Sequence, residues 1–395
     1  MPIGREEPGG LRAALYALAF MTVTARVATA DPAVNGEIGF VVTSWYTALH
    51  ETADGKEECP DGLAQGTQEI YIAGLLAGER ERLSQATNGG AIDLDDPMVP
   101  VSALRQKALE RGPGGKDVCW NPDSVQDPPM HIVRGGKSYG LNLDGTPDGR
   151  PTANSCGHQK FTDLDGQPGV DNQWYRLIGC AYGWRSSGYM ETNANGELKD
   201  SGHAILIGLE NAGDLRDAPN VRVTFYRARD LLPKDSTGGI LPYSSYRAFE
   251  DYKFEATGRI VNGELTTDPI DIRIPFYANL THAEYYLKAM RLKLDLQPNG
   301  SAAKGLVAGY YDFDSLWNYI SKLGYETVAG RFDCPALYQA AHQLADGYPD
   351  PKTGKCTALS SAFRIEAIPA FIIHHDGIAP TKAASVQPTS DEARD

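Results

Sequence analysis

The chain has 395 residues, 42% hydrophobic and 22% charged, a globular composition that excludes wholesale disorder and a collagen-like fibre. Its 51 acidic residues outnumber 37 basic ones, a formal charge of -14, which argues against a nucleic-acid binder working through the phosphate backbone. After the N-terminal segment, no apolar run approaches the roughly 18–20 residues of a membrane-spanning helix.

Residues 1–30 read as a secretory leader. Arg5 and Arg12 supply a basic start, diluted by Glu6 and Glu7, and residues 13–25 form an apolar stretch too short to span a bilayer. Ala28-Thr29-Ala30 then places small residues where a signal peptidase reads them, before Asp31-Pro32. The expectation is a periplasmic or secreted protein. All six cysteines (Cys59, Cys119, Cys156, Cys180, Cys334, Cys356) follow that point, and an even number in an exported chain suggests disulfides. Sequential pairing is the simplest arrangement: Cys59–Cys119, Cys156–Cys180 and Cys334–Cys356. No CxxC occurs, so zinc-ribbon and thioredoxin-type chemistry lack their signature.

Along residues 31–375, a single exported domain is expected. Residues 37–50 are rich in β-branched and aromatic side chains and predict a strand. Residues 69–86 and 102–111 carry helical periodicity. Residues 112–170 are dominated by Gly, Pro, Asp and Asn, the composition of a functional loop, a metal-ordered loop or simple disorder. From about residue 175 the pattern turns to strands, at 204–210, 220–229, 253–261, 264–275, 291–296 and 305–310, with Asn262-Gly263 as a hairpin turn. Helices follow, one capped by Asp314 and one opened by Pro335, then a buried strand over 362–373 and a flexible tail, 376–395. Strands with turn signals and few intervening helices predict an α+β fold with an antiparallel, jelly-roll-like β-sandwich core and peripheral helices.

The segment from Cys156 to Cys180 carries the strongest chemical signal. Asp163, Asp165, Asp171 and Asn172 stand close together, and Asp144 and Asp148 lie in a similar Asp-Gly turn about twenty residues earlier. Ca²⁺ takes about six to eight such oxygens, so these six residues are the candidate ligands of a calcium ion. His158, Trp174, Tyr175 and Trp184 are candidates for contact with a ligand, the aromatic rings as a stacking platform and the histidine as a polar partner. Gly136-Lys137-Ser138-Tyr139-Gly140 matches the string of a hydrolase nucleophile elbow, yet no helix can follow it, so coincidence is the better reading.

With these residues in view, the chain resembles a group of uncharacterised secreted bacterial proteins. The likeness is carried by Trp45-Tyr46, Glu58-Cys59-Pro60-Asp61-Gly62, Leu143-Asp144-Gly145, Gly169-Val170-Asp171-Asn172-Gln173 with Tyr175-Arg176 and Gly179-Cys180, and Ala345-Asp346-Gly347 to Ser360-Ser361-Ala362. It implies bacterial export and no activity. The functional expectation is therefore a disulfide-stapled binder of a carbohydrate or other cell-envelope component. The alternatives are a secreted glycoside or ester hydrolase whose site the fold assembles, and a structural subunit of an envelope assembly.

Overall fold

Alternating apolar positions make each strand one-faced, and here the sheet buries that face by curling until its first long strand meets its last. The computed structural model describes residues 33–34, 36–86, 101–200, 202, 204–324 and 326–374. The expected leader and tail lie outside these residues. The strands are β1 (Ala33–Val34), β2 (Glu37–Thr47), β3 (Phe161–Thr162), β4 (Pro168–Val170), β5 (Ile205–Glu210), β6 (Ala218–Ala228) and β7 (Ser244–Val261). They continue with β8 (Glu264–Thr267), β9 (Ile270–Ala278), β10 (Thr281–Leu296), β11 (Ala303–Asp312), β12 (Gly347–Pro349) and β13 (Cys356–Ile373). The helices are α1 (Thr67–Gly74), α2 (Ala77–Ala86), α3 (Val101–Leu109), α4 (Gln173–Ile178), α5 (Met190–Asp200), α6 (Phe313–Ile320), α7 (Glu326–Ala329) and α8 (Cys334–Leu344).

Strands β2-β5-β6-β7-β8-β10-β11-β13 pair in that order, and β13 pairs back onto β2, with Thr47 opposite Phe363 and Trp45 opposite Ile365. The expected sandwich is thus corrected to a closed eight-stranded barrel. Period-two patterning buries one face in either architecture. Only the pairing of residues some 320 positions apart decides between them. The inward set, including Phe40, Val42, Ile207, Val223, Phe225, Leu265, Leu294, Val307, Phe363 and Ile365, forms one buried core. A space of about 30 Å³ remains at its aromatic end, room for water-sized guests.

The hairpin expected at Asn262-Gly263 joins β7 to β8, with φ of 52° and 85° at the two residues. Both values are left-handed, as a type I′ turn requires. The strand expected over 264–275 breaks into β8 and β9, both of which pair with β10. Two further clusters sit outside the barrel. The end of β13 runs parallel to the start of β7 and covers the outer face of β2, β5 and β6 through Ala370, Ile372, Val41, Leu206 and Tyr226. Gly39 permits this approach, because a Cβ there would lie 2.4 Å from the Ala370 carbonyl oxygen. On β11 and β13, Tyr310, Ala308 and Ala362 pack against Leu143 from the long loop.

The cysteines form Cys59–Cys180, Cys119–Cys334 and Cys156–Cys356, which replaces the sequential pairing. Each bond joins residues far apart in sequence, with separations of 121, 215 and 200. Loops of that size constrain the unfolded chain by about 5 kcal/mol each on the loop-entropy model, against about 3 for short ones. Each bond also stands beside a buried charged group: Glu58–Arg185 at the first, Arg111–Asp333 at the second, and His158 with Asp171 and Asp346 at the third. Three disulfides and no helix among the described residues long and apolar enough to cross a membrane are compatible with a periplasmic or extracellular setting.

Candidate functional site

The candidate calcium ligands divide into four groups. Asp163 closes the β3–β4 turn, its carboxylate accepting the N–H groups of Asp165 and Gln167 at 3.0 and 2.7 Å, and Asp165 itself points to solvent. Asp148 is exposed and paired with Arg150. Asn172 caps α4 by accepting from the Tyr175 N–H, while its amide donates to Ser138 Oγ and to the carbonyls of Tyr139 and Ala48.

Asp144 and Asp171 do come together, with His158, as a set whose ligand atoms lie within 4.8 Å of one another. Lys160 stands among them. Its Nζ is 2.6 Å from Asp144 Oδ1 and 2.6 and 2.8 Å from the two oxygens of Asp171, so an ammonium ion supplies the positive charge that the sequence reading assigned to calcium. Burial alone would raise the Asp144 pKa, but Lys160 and the two Thr146 donors outweigh it and hold the group below the usual carboxylate range. His158 Nδ1 faces the Cys156 carbonyl at 2.9 Å and Nε2 faces Asp171 at 2.7 Å. Both partners only accept, so both ring nitrogens carry protons. Accordingly, although burial lowers its pKa, the Asp171 hydrogen bond and the charge of Asp346 raise it on balance. Asp346 is fully buried, with Oδ1 accepting from the Ser360 N–H and Oδ2 without a hydrogen bond but 3.4 Å from His158 Nε2, and burial pushes its carboxyl up to about 6. This cluster ties the long loop to β13. Its side chains are at most 8% exposed.

The candidate stacking residues are core residues. Trp174, Tyr175 and Trp184 are 3%, 0% and 4% exposed, Trp184 packs on Phe332 with ring centroids 4.7 Å apart, and Tyr175 donates its hydroxyl proton to the His50 carbonyl. Ser138 is buried, donates to the Tyr139 carbonyl and accepts from Asn172. This network contains no histidine to activate it.

An accessible site lies elsewhere, on the outer rim of the β2–β13 seam. β5 pairs with β2 only as far as Val41, which leaves the later N–H and C=O groups of β2 without a strand partner on that side. Helix α5 substitutes for the missing strand. Asn195 accepts from the Trp45 N–H at 2.8 Å and donates to its carbonyl at 2.9 Å. One turn earlier, Glu191 accepts from the Thr47 N–H at 2.9 Å and hydroxyl at 2.7 Å. The i, i+4 spacing puts both side chains on one face of the helix. Burial pushes the Glu191 carboxyl up to about 7, against the Thr47 bonds and the more distant charge of Arg364.

Glu191 opens onto a cleft of about 450 Å³ that also presents His50, Glu51, Tyr139, Arg185 and Arg364. A second cleft of about 400 Å³, bordered by Lys304 and Glu366, shares Tyr46, Tyr139 and Arg364 with the first. Arg364 lies at this junction because it sits opposite Tyr46 of β2 and Leu306 of β11 on the outward row of the barrel. It is exposed, with its guanidinium carbon 5.4 Å from the centroid of the Tyr139 ring. No carboxylate of the described residues makes an ion pair with it. Tyr139 is fixed in turn, its carbonyl accepting from Ser138 Oγ and Asn172 Nδ2. Glu51 accepts from the Ser186 N–H and lies 3.7 Å from Arg185.

Compared with known family models, characterised proteins and solved structures, the chain matches none. The reading of the site rests on its own geometry.

Proposed function

We propose that the protein is an exported binding protein that holds an acidic glycan of the cell envelope in the paired clefts around Arg364. The observation that carries this reading is a cation without a carboxylate partner among the described residues: an exposed guanidinium over the Tyr139 ring where two clefts meet. A guanidinium in that position receives a carboxylate or phosphate through two parallel hydrogen bonds. Tyr46 and Tyr139 offer ring faces to the sugar, and Glu51 and Glu366 accept from its hydroxyls. The barrel interior is filled, so the ligand belongs outside it. Calorimetric titration with oligogalacturonate and with its neutral counterpart, galacto-oligosaccharide, tests the reading. Saturable binding of the acidic ligand that Arg364→Ala abolishes supports it, and equal binding of both by the two proteins refutes it.

A hydrolase is favoured by one feature, the presence of Glu51 and Glu191 on the same cleft with the Glu191 carboxyl half-protonated near neutral pH. Glycoside cleavage uses one carboxyl as acid and another as base or nucleophile. Release of reducing ends from the bound oligosaccharide, lost in Glu191→Gln with binding retained, would identify an enzyme.

A further inference from the structure

We infer that the surface formed by residues 119–124 together with helices α6 and α8 is a second carbohydrate site, one that takes a neutral pyranose chain. Trp120 is 59% exposed, whereas Trp45, Trp174 and Trp184 are at most 9% exposed. An indole left in water is costly to the fold, because aromatic side chains carry the largest apolar area available for burial. The backbone that carries Trp120 is nevertheless fixed. Its neighbour Cys119 is bonded to Cys334, and the Asp117 carboxylate accepts the N–H groups of Cys119 and Trp120 at 2.7 and 3.2 Å. Fixing the backbone before a ligand arrives reduces the entropic cost of binding.

Trp120 borders a recess of about 530 Å³ whose other aromatic walls are Trp317 of α6 and Tyr338 of α8. These two rings stand edge to face, with centroids 4.7 Å apart and planes at 68°. Asn121, Asp123 and Ser124 supply the polar part of the lining. The Ser124 hydroxyl is buried without a hydrogen-bond partner among the described residues, and Asp123 accepts from Gln339 at 2.7 Å. Aromatic faces beside the Asn121 amide and the Asp123 carboxylate match a pyranose ring, which presents C–H groups on its faces and hydroxyls around its edge. The lining contains a carboxylate and no cation, so an acidic sugar is repelled here, in contrast to the Arg364 clefts. The inference is independent of the function proposed for those clefts.

Cellotetraose, chitotetraose and maltotetraose are suitable probes, followed by tryptophan fluorescence and by saturation transfer to the sugar C–H protons. At least one should bind saturably, Trp120→Ala should weaken it by about tenfold or more, and Arg364→Ala should leave it unchanged. Trp317→Phe, which keeps a ring in the packed wall, should weaken binding by a smaller factor. Circular dichroism confirms that the variants are folded. Failure of all three sugars to saturate, or unaltered binding by folded Trp120→Ala, overturns the inference.

Discussion

Two polar regions of the molecule are built from the same residue types and behave in opposite ways. Around Lys160, carboxylates, an ammonium group and an imidazolium are out of water and nearly all paired with one another. Around Arg364, a guanidinium, carboxylates and tyrosines stay open to solvent, and the cation has no carboxylate partner among the described residues. Ions removed from water persist only when their partners replace the lost hydration. A fully reciprocated set therefore holds the chain together, while an unreciprocated ion at a cleft has binding capacity left over. Density of charged residues, the feature most visible in the sequence, marks the first kind of site rather than the second.

The sharpest test of this contrast is Lys160→Met. It leaves Asp144 and Asp171 adjacent and unneutralised, so it should cost about 3–5 kcal/mol in urea denaturation. In the native protein, EDTA should leave the melting temperature unchanged, whereas in Lys160→Met added Ca²⁺ should restore part of the loss. A fall in the native melting temperature on chelation would show that an ion rather than Lys160 neutralises the cluster. Next in size is removal of the bond that anchors this region. Cys156→Ser with Cys356→Ser should destabilise by about 2–5 kcal/mol, and intact mass under non-reducing conditions should show no free thiol in the native chain.

On the open side, Arg364→Ala should weaken acidic-glycan binding by about tenfold or more, equivalent to about 1.4 kcal/mol. Its melting temperature should hardly move, since surface substitutions usually stay within about 0.5 kcal/mol. A separate effect concerns pH. The folded pKa values of Glu191 and Asp346, about 7 and about 6, lie above their ordinary values. Such groups contribute their full stability below the unfolded pKa and lose it as pH rises through the folded one. Stability should therefore fall by roughly 4 kcal/mol between about pH 5 and pH 8, read as a lower melting temperature at the higher pH. Glu191→Gln keeps both Thr47 bonds, because the amide accepts from the N–H and donates to the hydroxyl. It should flatten the part of that fall centred near pH 7.

Much of the buried cluster could be read from the sequence. Asp144, His158 and Asp171 were all among the candidates, and their proximity in the fold follows from the chain reversal between them. What escaped was Lys160, a lone lysine whose partners lie in two different turns, and Asp346, almost two hundred residues away. The open site escaped almost entirely. Arg364 sits in the middle of an apolar strand and reads as an ordinary outward residue. Glu191 and Asn195 belong to a helix whose Asn193, Gly196 and weak periodicity give little propensity; its side chains earn their position by completing β2. Of the candidate stacking residues, Trp174 and Tyr175 are buried, and Trp184, 4% exposed, only borders the cleft that holds Glu191. Aromatic clustering signals apolar area, and area alone does not say which side of the fold it faces.

Short-range chemistry is what the sequence by itself determined: the alternation of the strands, the Asn262-Gly263 turn, the helix opened at Pro335, and cysteines suited to cross-linking. Each depends on a few neighbouring residues, whose sterics and hydrogen bonds act regardless of the rest. Closure of the barrel, the partners of the six cysteines, the neutralisation of the aspartates by Lys160 and the exposure of Arg364 and Trp120 were decided only in three dimensions. They depend on which distant segments share a surface, and burial, which sets the energy of a charge or a ring, is a property of that shared surface rather than of any residue in it.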